Sequence, residues 1–246
     1  MKKNIKCVVI TPDSYTLDKG MQVDYPVVYL LHGYSGDFSN FVRKIPAIKK
    51  QADELQLILV CPDGDFGSWY FDSPVDSSKR YETYIYKEIT GFIDGHYRTI
   101  KNRHGRAITG LSMGGHGGLF IGFRHPDFYG ACGSMSGGVD LLPFYNQFEI
   151  KKVLGDSVTN NKYWKDYSVI NVVENYNKKD SLAIIFDCGV DDFFYKANRQ
   201  LHEKMLKLKI PHDYIERPGS HNWDYWSNSI QYQLLFFRDY FNKYYK

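Results

Sequence analysis

Short apolar runs alternate along this chain with longer stretches of helical periodicity. The apolar runs are rich in Val, Ile and Leu, and they predict strands at residues 6–11, 27–32, 57–61, 107–110, 130–135, 182–188 and 213–217. Apolar residues at spacings of three and four predict helices at residues 41–55, 81–97, 113–124, 192–208 and 227–245. Strands that alternate with helices predict an α/β fold, with a mostly parallel sheet covered by helices on both faces.

Two segments, 64–79 and 139–179, do not fit this alternation. The second is polar and aromatic, and Asn and Gly interrupt it repeatedly. Long irregular connections at the edge of a sheet often shape a substrate pocket. Because the chain has neither a repeat of fixed period nor a Pro/Gly/Ser linker, we predict a single domain over residues 1–246, with 139–179 as a lid or pocket wall.

Composition narrows the possible partners. Hydrophobic residues at 43% and charged residues at 24% are ordinary for a globular protein. The net charge of +3 comes from Lys and Arg scattered along the chain, so we expect no nucleic-acid partner. No apolar stretch approaches the roughly 20 residues that cross a bilayer, so we expect no membrane partner.

The start of the chain bears on its location. Met1-Lys2-Lys3 has the charge of a signal peptide, but Lys6 and Pro12 interrupt the apolar stretch that follows. This predicts a cytoplasmic protein, or a secreted or periplasmic one if a native signal has been removed. The four cysteines are far apart and lie mostly in apolar runs, which predicts buried thiols and no disulfide framework.

A glycine-rich turn follows the fourth predicted strand. Gly110-Leu111-Ser112-Met113-Gly114 lies between that strand and a predicted helix, and in this context a Gly-x-Ser-x-Gly motif presents a nucleophilic serine. Because glycines have no side chain, the sharp turn can bring the chain and the substrate close together. We therefore predict that Ser112 is a nucleophile at the carboxyl edge of the sheet, where α/β folds bind ligands.

A nucleophilic serine needs a base, and in this fold the order along the chain is Ser, acid, His. Three histidines lie far enough downstream. His202 falls inside a predicted helix, and His212 precedes the last predicted strand. His221 follows that strand in a loop at the same edge as Ser112, which selects it as the base. The alternative is a surface histidine without a role.

The acid is expected after the preceding strand, where Gly189-Val190-Asp191-Asp192 carries two carboxylates. One of them can hold the imidazole of His221 in the right tautomer and stabilise the imidazolium. The other can cap the helix that follows or interact with its dipole. These residues alone do not rank Asp191 against Asp192.

Serine attack on an ester creates an oxyanion, which needs two backbone donors. Met113, the residue after the nucleophile, supplies one. The loop after an early strand, Gly33-Tyr34-Ser35-Gly36, makes the Tyr34 amide the predicted second donor. His32 precedes the required acid, so we expect it to form structural hydrogen bonds rather than to act as a base. No metal-ligand spacing or nucleotide-binding motif is present, so we expect neither metal nor cofactor.

In combination, these segments resemble the esterase D group of α/β-hydrolases. That group includes S-formylglutathione hydrolases, tributyrin esterases, feruloyl and acetylxylan esterases of carbohydrate esterase family one, and the antigen 85 mycolyltransferases. The segments that carry the likeness are 25–33, 68–70, 109–117, 134–137, 187–193 and 219–221. The resemblance implies the α/β-hydrolase fold.

The resemblance also implies roles for individual residues. Asp192, the second carboxylate of its turn, becomes the expected catalytic acid, and the amides of Tyr34 and Met113 become the oxyanion hole. Trp69 is implied to lie near the substrate pocket. We assign Trp223, in the same loop as His221, to that pocket as well.

These expectations describe a serine carboxylesterase that forms an acyl-enzyme. The closest-looking members of the group act on acetyl or feruloyl groups of plant cell-wall polysaccharide, which predicts a small-molecule or polysaccharide-linked ester as substrate. An acyltransferase and a thioesterase on the same triad are the alternatives. S-formylglutathione hydrolases usually have a Cys shortly after the oxyanion glycine, and its absence from residues 33–37 disfavours glutathione thioesters. A non-catalytic module with this fold is disfavoured because the triad is complete.

Overall fold

The computed structural model describes residues 1, 3–17, 23–177, 179 and 181–245. The predicted single domain over residues 1–246 also covers 2, 18–22, 178, 180 and 246, which lie outside the described residues. Residue 178 belongs to the predicted lid or pocket wall.

A seven-stranded sheet forms the centre of the described part of the chain. Its strands are β1 Cys7–Ile10, β2 Val27–Leu31, β3 Ile58–Pro62, β4 Arg106–Gly110, β5 Ala131–Met135, β6 Ala183–Gly189 and β7 Asp213–Arg217. They lie in the order β1-β3-β2-β4-β5-β6-β7. β1 pairs antiparallel with β3, and the other neighbours are parallel. The predicted α/β class with a mostly parallel sheet is confirmed.

Helices cover both faces of this sheet. They are α1 Ser14–Leu17, α2 Asn40–Lys44, α3 Ile48–Glu54, α4 Tyr81–Thr83, α5 Thr90–His96, α6 Met113–Arg124, α7 Lys151–Leu154, α8 Asn161–Tyr167, α9 Val169–Val172, α10 Tyr195–Lys207 and α11 Trp223–Phe241. A π-helical turn at Tyr84–Ile89 joins α4 to α5. Short 3-10 helices lie at Arg103–Gly105, Leu142–Phe144 and Val173–Asn175.

The central strands bury side chains on both faces, and this explains why their sequences are rich in apolar residues. In β2, Val28 and Leu30 pack in the layer formed with α2, α3 and α11. Val27, Tyr29 and Leu31 pack in the opposite layer, which contains α6 and α10. The alternation of side chains along one strand therefore supplies two hydrophobic layers.

The predicted helix 41–55 is interrupted in the structure, where α2 ends at Lys44 and α3 begins at Ile48. Pro46 lies between them and has no backbone N–H to continue the helical hydrogen bonds. Proline also disfavours helical backbone in the residue before it, and Ile45 lies at φ −124° and ψ 85°. The periodicity is thus shared by two helices.

The last helix begins earlier than predicted, at Trp223 instead of residue 227. Asn222 is the cause, because its side-chain oxygen accepts a hydrogen bond from the Tyr225 amide at 3.0 Å. The cap lies directly after His221. The start of α11 therefore fixes the backbone that carries the predicted base.

The described part of segment 139–179 contains several short helices packed on the core. Trp164 and Val169 are completely buried, and α9 packs against α6 and α10. Tyr167 donates a hydrogen bond to the Asp72 carbonyl oxygen at 3.0 Å, which ties this segment to the other irregular stretch, 64–79. The described part of the segment therefore forms a fixed surface beside the carboxyl edge of the sheet.

Candidate active site

Ser112 lies at the sharp turn between β4 and α6. Its backbone has φ 56° and ψ −116°, a left-handed conformation that residues with a Cβ rarely adopt. The turn also requires a glycine at position 114, because a Cβ there would lie 2.1 Å from the Leu31 carbonyl oxygen. Ser112 N donates to the Met135 carbonyl oxygen at 2.9 Å and so holds the turn against β5.

A chain of hydrogen bonds connects Ser112, His221 and Asp192. The distance from His221 Nε2 to Ser112 Oγ is 2.9 Å, and that from His221 Nδ1 to Asp192 Oδ2 is 2.8 Å. The Asp192 side chain is completely buried, whereas that of His221 is 15% exposed. In this arrangement Nδ1 donates to the carboxylate, which leaves Nε2 free to accept the serine proton.

The two carboxylates of the turn after β6 lie in different surroundings. Asp192 is buried, and its second oxygen accepts a hydrogen bond from the Phe194 amide at 2.8 Å. Asp191 is exposed, and its amide donates to the Gly219 carbonyl oxygen at 3.0 Å. Only Asp192 of this pair contacts His221.

The amides of Tyr34 and Met113 have the properties required of oxyanion donors. Neither donates a hydrogen bond to any other group in the described part of the chain. Met113 is the first residue of α6, where amides lack an intrahelical acceptor and the helix dipole favours negative charge. Tyr34 belongs to the lining of the same cleft as Ser112.

His32 has a structural role. It is buried, its Nδ1 donates to the Gly33 carbonyl oxygen at 2.8 Å, and its Nε2 accepts from the Gly64 amide at 2.7 Å. Burial lowers the pKa of His32, which keeps the ring neutral and suits this pair of bonds. The ring thereby connects the loop after β2 to the loop after β3.

A cleft of about 300 Å³ opens above the nucleophile. Its lining is rich in aromatic side chains and consists of Gly33, Tyr34, Ser35, Gly36, Asn40, Leu111, Ser112, Phe148, His221, Trp223 and Trp226. None of these is Asp, Glu, Lys or Arg. Such a cleft suits a neutral substrate with a substantial apolar part.

The two predicted pocket tryptophans differ in position. Trp223 lines the cleft. Trp69 does not, and the prediction for it needs correction: the residue is 1% exposed and lies behind the wall. Its indole N–H donates to the Phe148 carbonyl oxygen at 3.1 Å, and its amide donates to Met113 Sδ at 3.4 Å. Trp69 therefore supports two residues of the site from the interior.

Phe148 and Trp226 line the cleft and were not among the predicted site residues. Phe148 comes from the irregular segment 139–179, and no local pattern in that segment singles it out. Trp226 lies one helical turn after Trp223 on α11, and its ring packs edge-on against His221 with centroids 4.9 Å apart. A helix predicted to start at Trp223 would have placed both tryptophans, which are three residues apart, on the same face.

A buried polar cluster holds α11 on the sheet. Asp187 of β6 accepts hydrogen bonds from Ser229 Oγ at 2.6 Å and from Gln233 Nε2 at 2.8 Å, and Arg217 Nη2 lies 3.3 Å away. Burial raises the pKa of Asp187. Both helix residues follow His221 in α11, so the cluster anchors the element that begins beside the predicted base.

The described residues contain no group of three or more His, Cys, Asp or Glu side chains that could hold a metal ion. Within the same ranges, no helix has the length and apolar character that crossing a lipid bilayer demands.

The fold and the serine at its strand-to-helix turn define an α/β-hydrolase. A model of the family described as "Putative esterase" matches residues 1–237. The chain therefore belongs to this esterase family, and the resemblance to the esterase D group is confirmed.

Individual relatives agree with this assignment. An acetyl esterase of Caldicellulosiruptor saccharolyticus is 26% identical over 94% of this chain and 91% of its own length. An esterase of Mycobacterium tuberculosis is 25% identical over 87% of this chain but 51% of its own length, so this chain spans about half of that protein. A solved structure of a ferulic acid esterase is 28% identical, with a TM-score of 0.80 over 96% of this chain and 98% of that one.

Proposed function

We propose that this esterase uses Ser112 as nucleophile, His221 as general base and Asp192 as the acid that orients the histidine. The hydrogen-bonded sequence from Ser112 Oγ through both nitrogens of His221 to Asp192 Oδ2 carries the proposal, with distances of 2.9 and 2.8 Å. These are the contacts that activation of a serine by a base requires. The left-handed backbone of Ser112 is further support, because such strain is retained at functional sites.

The reaction proceeds in two steps. Ser112 Oγ attacks the ester carbonyl carbon while His221 Nε2 takes the hydroxyl proton, and the oxyanion accepts hydrogen bonds from the amides of Tyr34 and Met113. The bond to the alcohol oxygen then breaks as His221 returns the proton to that oxygen. In the second step, His221 removes a proton from water, the water oxygen attacks the acyl-enzyme, and Ser112 is released with its proton restored.

The proposed substrates are acetyl or feruloyl esters of plant cell-wall polysaccharide. The neutral, aromatic cleft of about 300 Å³ supports this class, since it can take an acetyl or an aryl acyl group and lacks a cation for an anionic substrate. The ferulic acid esterase and acetyl esterase among the relatives support it as well. Glutathione thioesters fit less well because they carry carboxylates.

Fluorophosphonate labelling and a substrate panel test the proposal. Labelled wild-type protein should carry the adduct on Ser112, and Ser112→Ala should lower kcat on p-nitrophenyl acetate by roughly 10⁶-fold. Ser78→Ala is the matched control, since Ser78 is exposed and does not line the cleft. Undiminished turnover by the Ser112 variant would refute the catalytic assignment.

The panel compares kcat/KM for aryl acetates, p-nitrophenyl octanoate, methyl ferulate and S-formylglutathione. We expect acetate and ferulate esters to lead it. A preference for the glutathione thioester would instead identify a thioesterase. Product analysis with an added alcohol completes the test, because formation of a new ester in preference to free acid would identify an acyltransferase.

A further inference from the structure

Four aromatic rings lie side by side from the loop after β3 to the active-site histidine. Neighbouring ring centroids are 4.9 Å apart for Phe66 and Tyr34, 5.7 Å for Tyr34 and Phe148, and 5.9 Å for Phe148 and Phe193. The Phe193 ring in turn lies 4.3 Å from the ring of His221. We call Phe66, Tyr34, Phe148 and Phe193 the aromatic row. Its two middle members line the cleft.

The ends of the aromatic row are open to solvent. Phe66 is 52% exposed and Phe193 is 51% exposed, while Tyr34 and Phe148 are half-buried. A single exposed phenylalanine is ordinary, but a contiguous exposed apolar surface marks a binding site. The aromatic row is contiguous and continues into the cleft, so one molecule can occupy both.

The backbone around the aromatic row is strained and held in place. Phe148 has φ 51°, and Asp65, which precedes Phe66, has φ 64°. Bulky residues occupy this left-handed region only where other contacts require it. Here the Phe148 carbonyl oxygen accepts from the Trp69 indole at 3.1 Å, and the Phe66 carbonyl oxygen accepts from the Ser35 amide at 2.8 Å. These bonds hold the backbone of Phe66 and Phe148 in place.

We propose that the aromatic row binds the neutral oligosaccharide part of the ester. A sugar ring presents weakly positive C–H groups to the negative face of an aromatic ring, and its hydroxyls donate to carboxylates. Asp65 and Glu149 place carboxylates beside the row. Lys152 Nζ donates to one oxygen of Glu149 at 2.6 Å, and the other oxygen can accept from a ligand. A long acyl chain offers no hydrogen-bond donors to these carboxylates, and an anionic chain would be repelled by them.

The direction of the sugar chain follows from the chemistry, and this inference rests on the proposed function. His221 returns a proton to the departing alcohol, so the sugar that leaves must lie beside that ring. Phe193 is the member of the aromatic row in contact with His221. The esterified sugar unit therefore lies over Phe193, and the units beyond it extend along the row toward Phe66.

The test compares an acetylated xylo-oligosaccharide with p-nitrophenyl acetate, which has no sugar. Phe66→Ala and Phe193→Ala should lower the ratio of the two kcat/KM values by about three- to tenfold each, chiefly through KM of the oligosaccharide ester. Phe92→Ala is the matched control, because Phe92 is 52% exposed and packs on His96 away from the row. That variant should keep the wild-type ratio. Circular dichroism melting curves confirm that each variant is folded.

Several results would overturn the inference. Equal losses on both substrates, a Phe66 variant that matches the Phe92 control, or no turnover of the oligosaccharide by an otherwise active wild type would each do so. A larger loss on p-nitrophenyl octanoate would identify an acyl chain as the occupant instead. Failure of the proposed function is a separate result, since the wild type would then cleave no ester or Ser112→Ala would stay active.

Discussion

Replacement of Asp192 by Asn tests how the acid acts. The carboxylate accepts from two donors, His221 Nδ1 at 2.8 Å and the Phe194 amide at 2.8 Å. An asparagine in the same position keeps its oxygen toward the Phe194 amide and turns its NH₂ group toward the histidine. His221 Nδ1 must then accept, which moves the ring proton to Nε2, and Nε2 can no longer take the proton of Ser112.

The opposite orientation of the asparagine is also unfavourable. Its NH₂ group would then face the Phe194 amide, donor against donor, in a site where the Asp192 side chain is completely buried. Two unpaired buried donors cost about 1–3 kcal/mol each. Asp192→Asn should therefore lower kcat by about 10⁴-fold, equivalent to about 5 kcal/mol of activation free energy, while the protein remains folded.

The assay is kcat/KM on p-nitrophenyl acetate with a melting curve for each variant. Asp191→Asn is the control and should stay within about twofold of wild type, because Asp191 is exposed and its structural bond is made by the backbone. An Asp192→Asn variant with more than a tenth of wild-type turnover, or an equal loss in both variants, would refute the reasoning.

Other predictions concern packing, pH and the support of the cleft wall. Gly114→Ala should destabilise the folded protein by about 3 kcal/mol or more, because its Cβ would lie 2.1 Å from a backbone oxygen. Gly91→Ala should instead raise Tm by about 2–4 °C, because nothing lies within 4 Å of its Cβ. Burial lowers the pKa of His116 to about 4. Below about pH 6.5 the unfolded chain therefore binds more protons than the folded protein, and the free energy of unfolding should fall by about 3 kcal/mol toward pH 4. In urea unfolding, His116→Gln should show a shallower pH dependence than the wild type. Trp69→Phe removes the donor to the Phe148 carbonyl oxygen and should cost about 1–3 kcal/mol of unfolding free energy, and an unchanged denaturation midpoint would contradict this.

Much of the fold was predictable because apolar runs and glycines act locally. Each predicted strand overlaps an observed one, and the five central strands, which are buried on both faces, are rich in apolar residues. Helix ends were less accurate. Pro46 divides one helix and the Asn222 cap starts another early, and in both cases a single residue outweighs the periodicity around it.

The site was predictable to the extent that it depends on chain order. Ser112 and His221 follow from their positions after strands, and the structure brings them within 2.9 Å. Asp192 could not be separated from Asp191 by residue type, because the direction of the turn decides which carboxylate points inward. The burial of Trp69 likewise depends on packing between distant segments, which no local pattern contains.

The three groups of the proposed triad follow three different strands, β4, β6 and β7, and Ser112 and His221 are 109 residues apart in sequence. Contacts of this range form only after a large loss of chain entropy, so they arise late and slowly in folding. No fragment that ends before β7 contains the complete site. Recovery of esterase activity after dilution from urea should therefore follow the slowest phase of refolding. Regained activity would then indicate that the whole sheet has assembled.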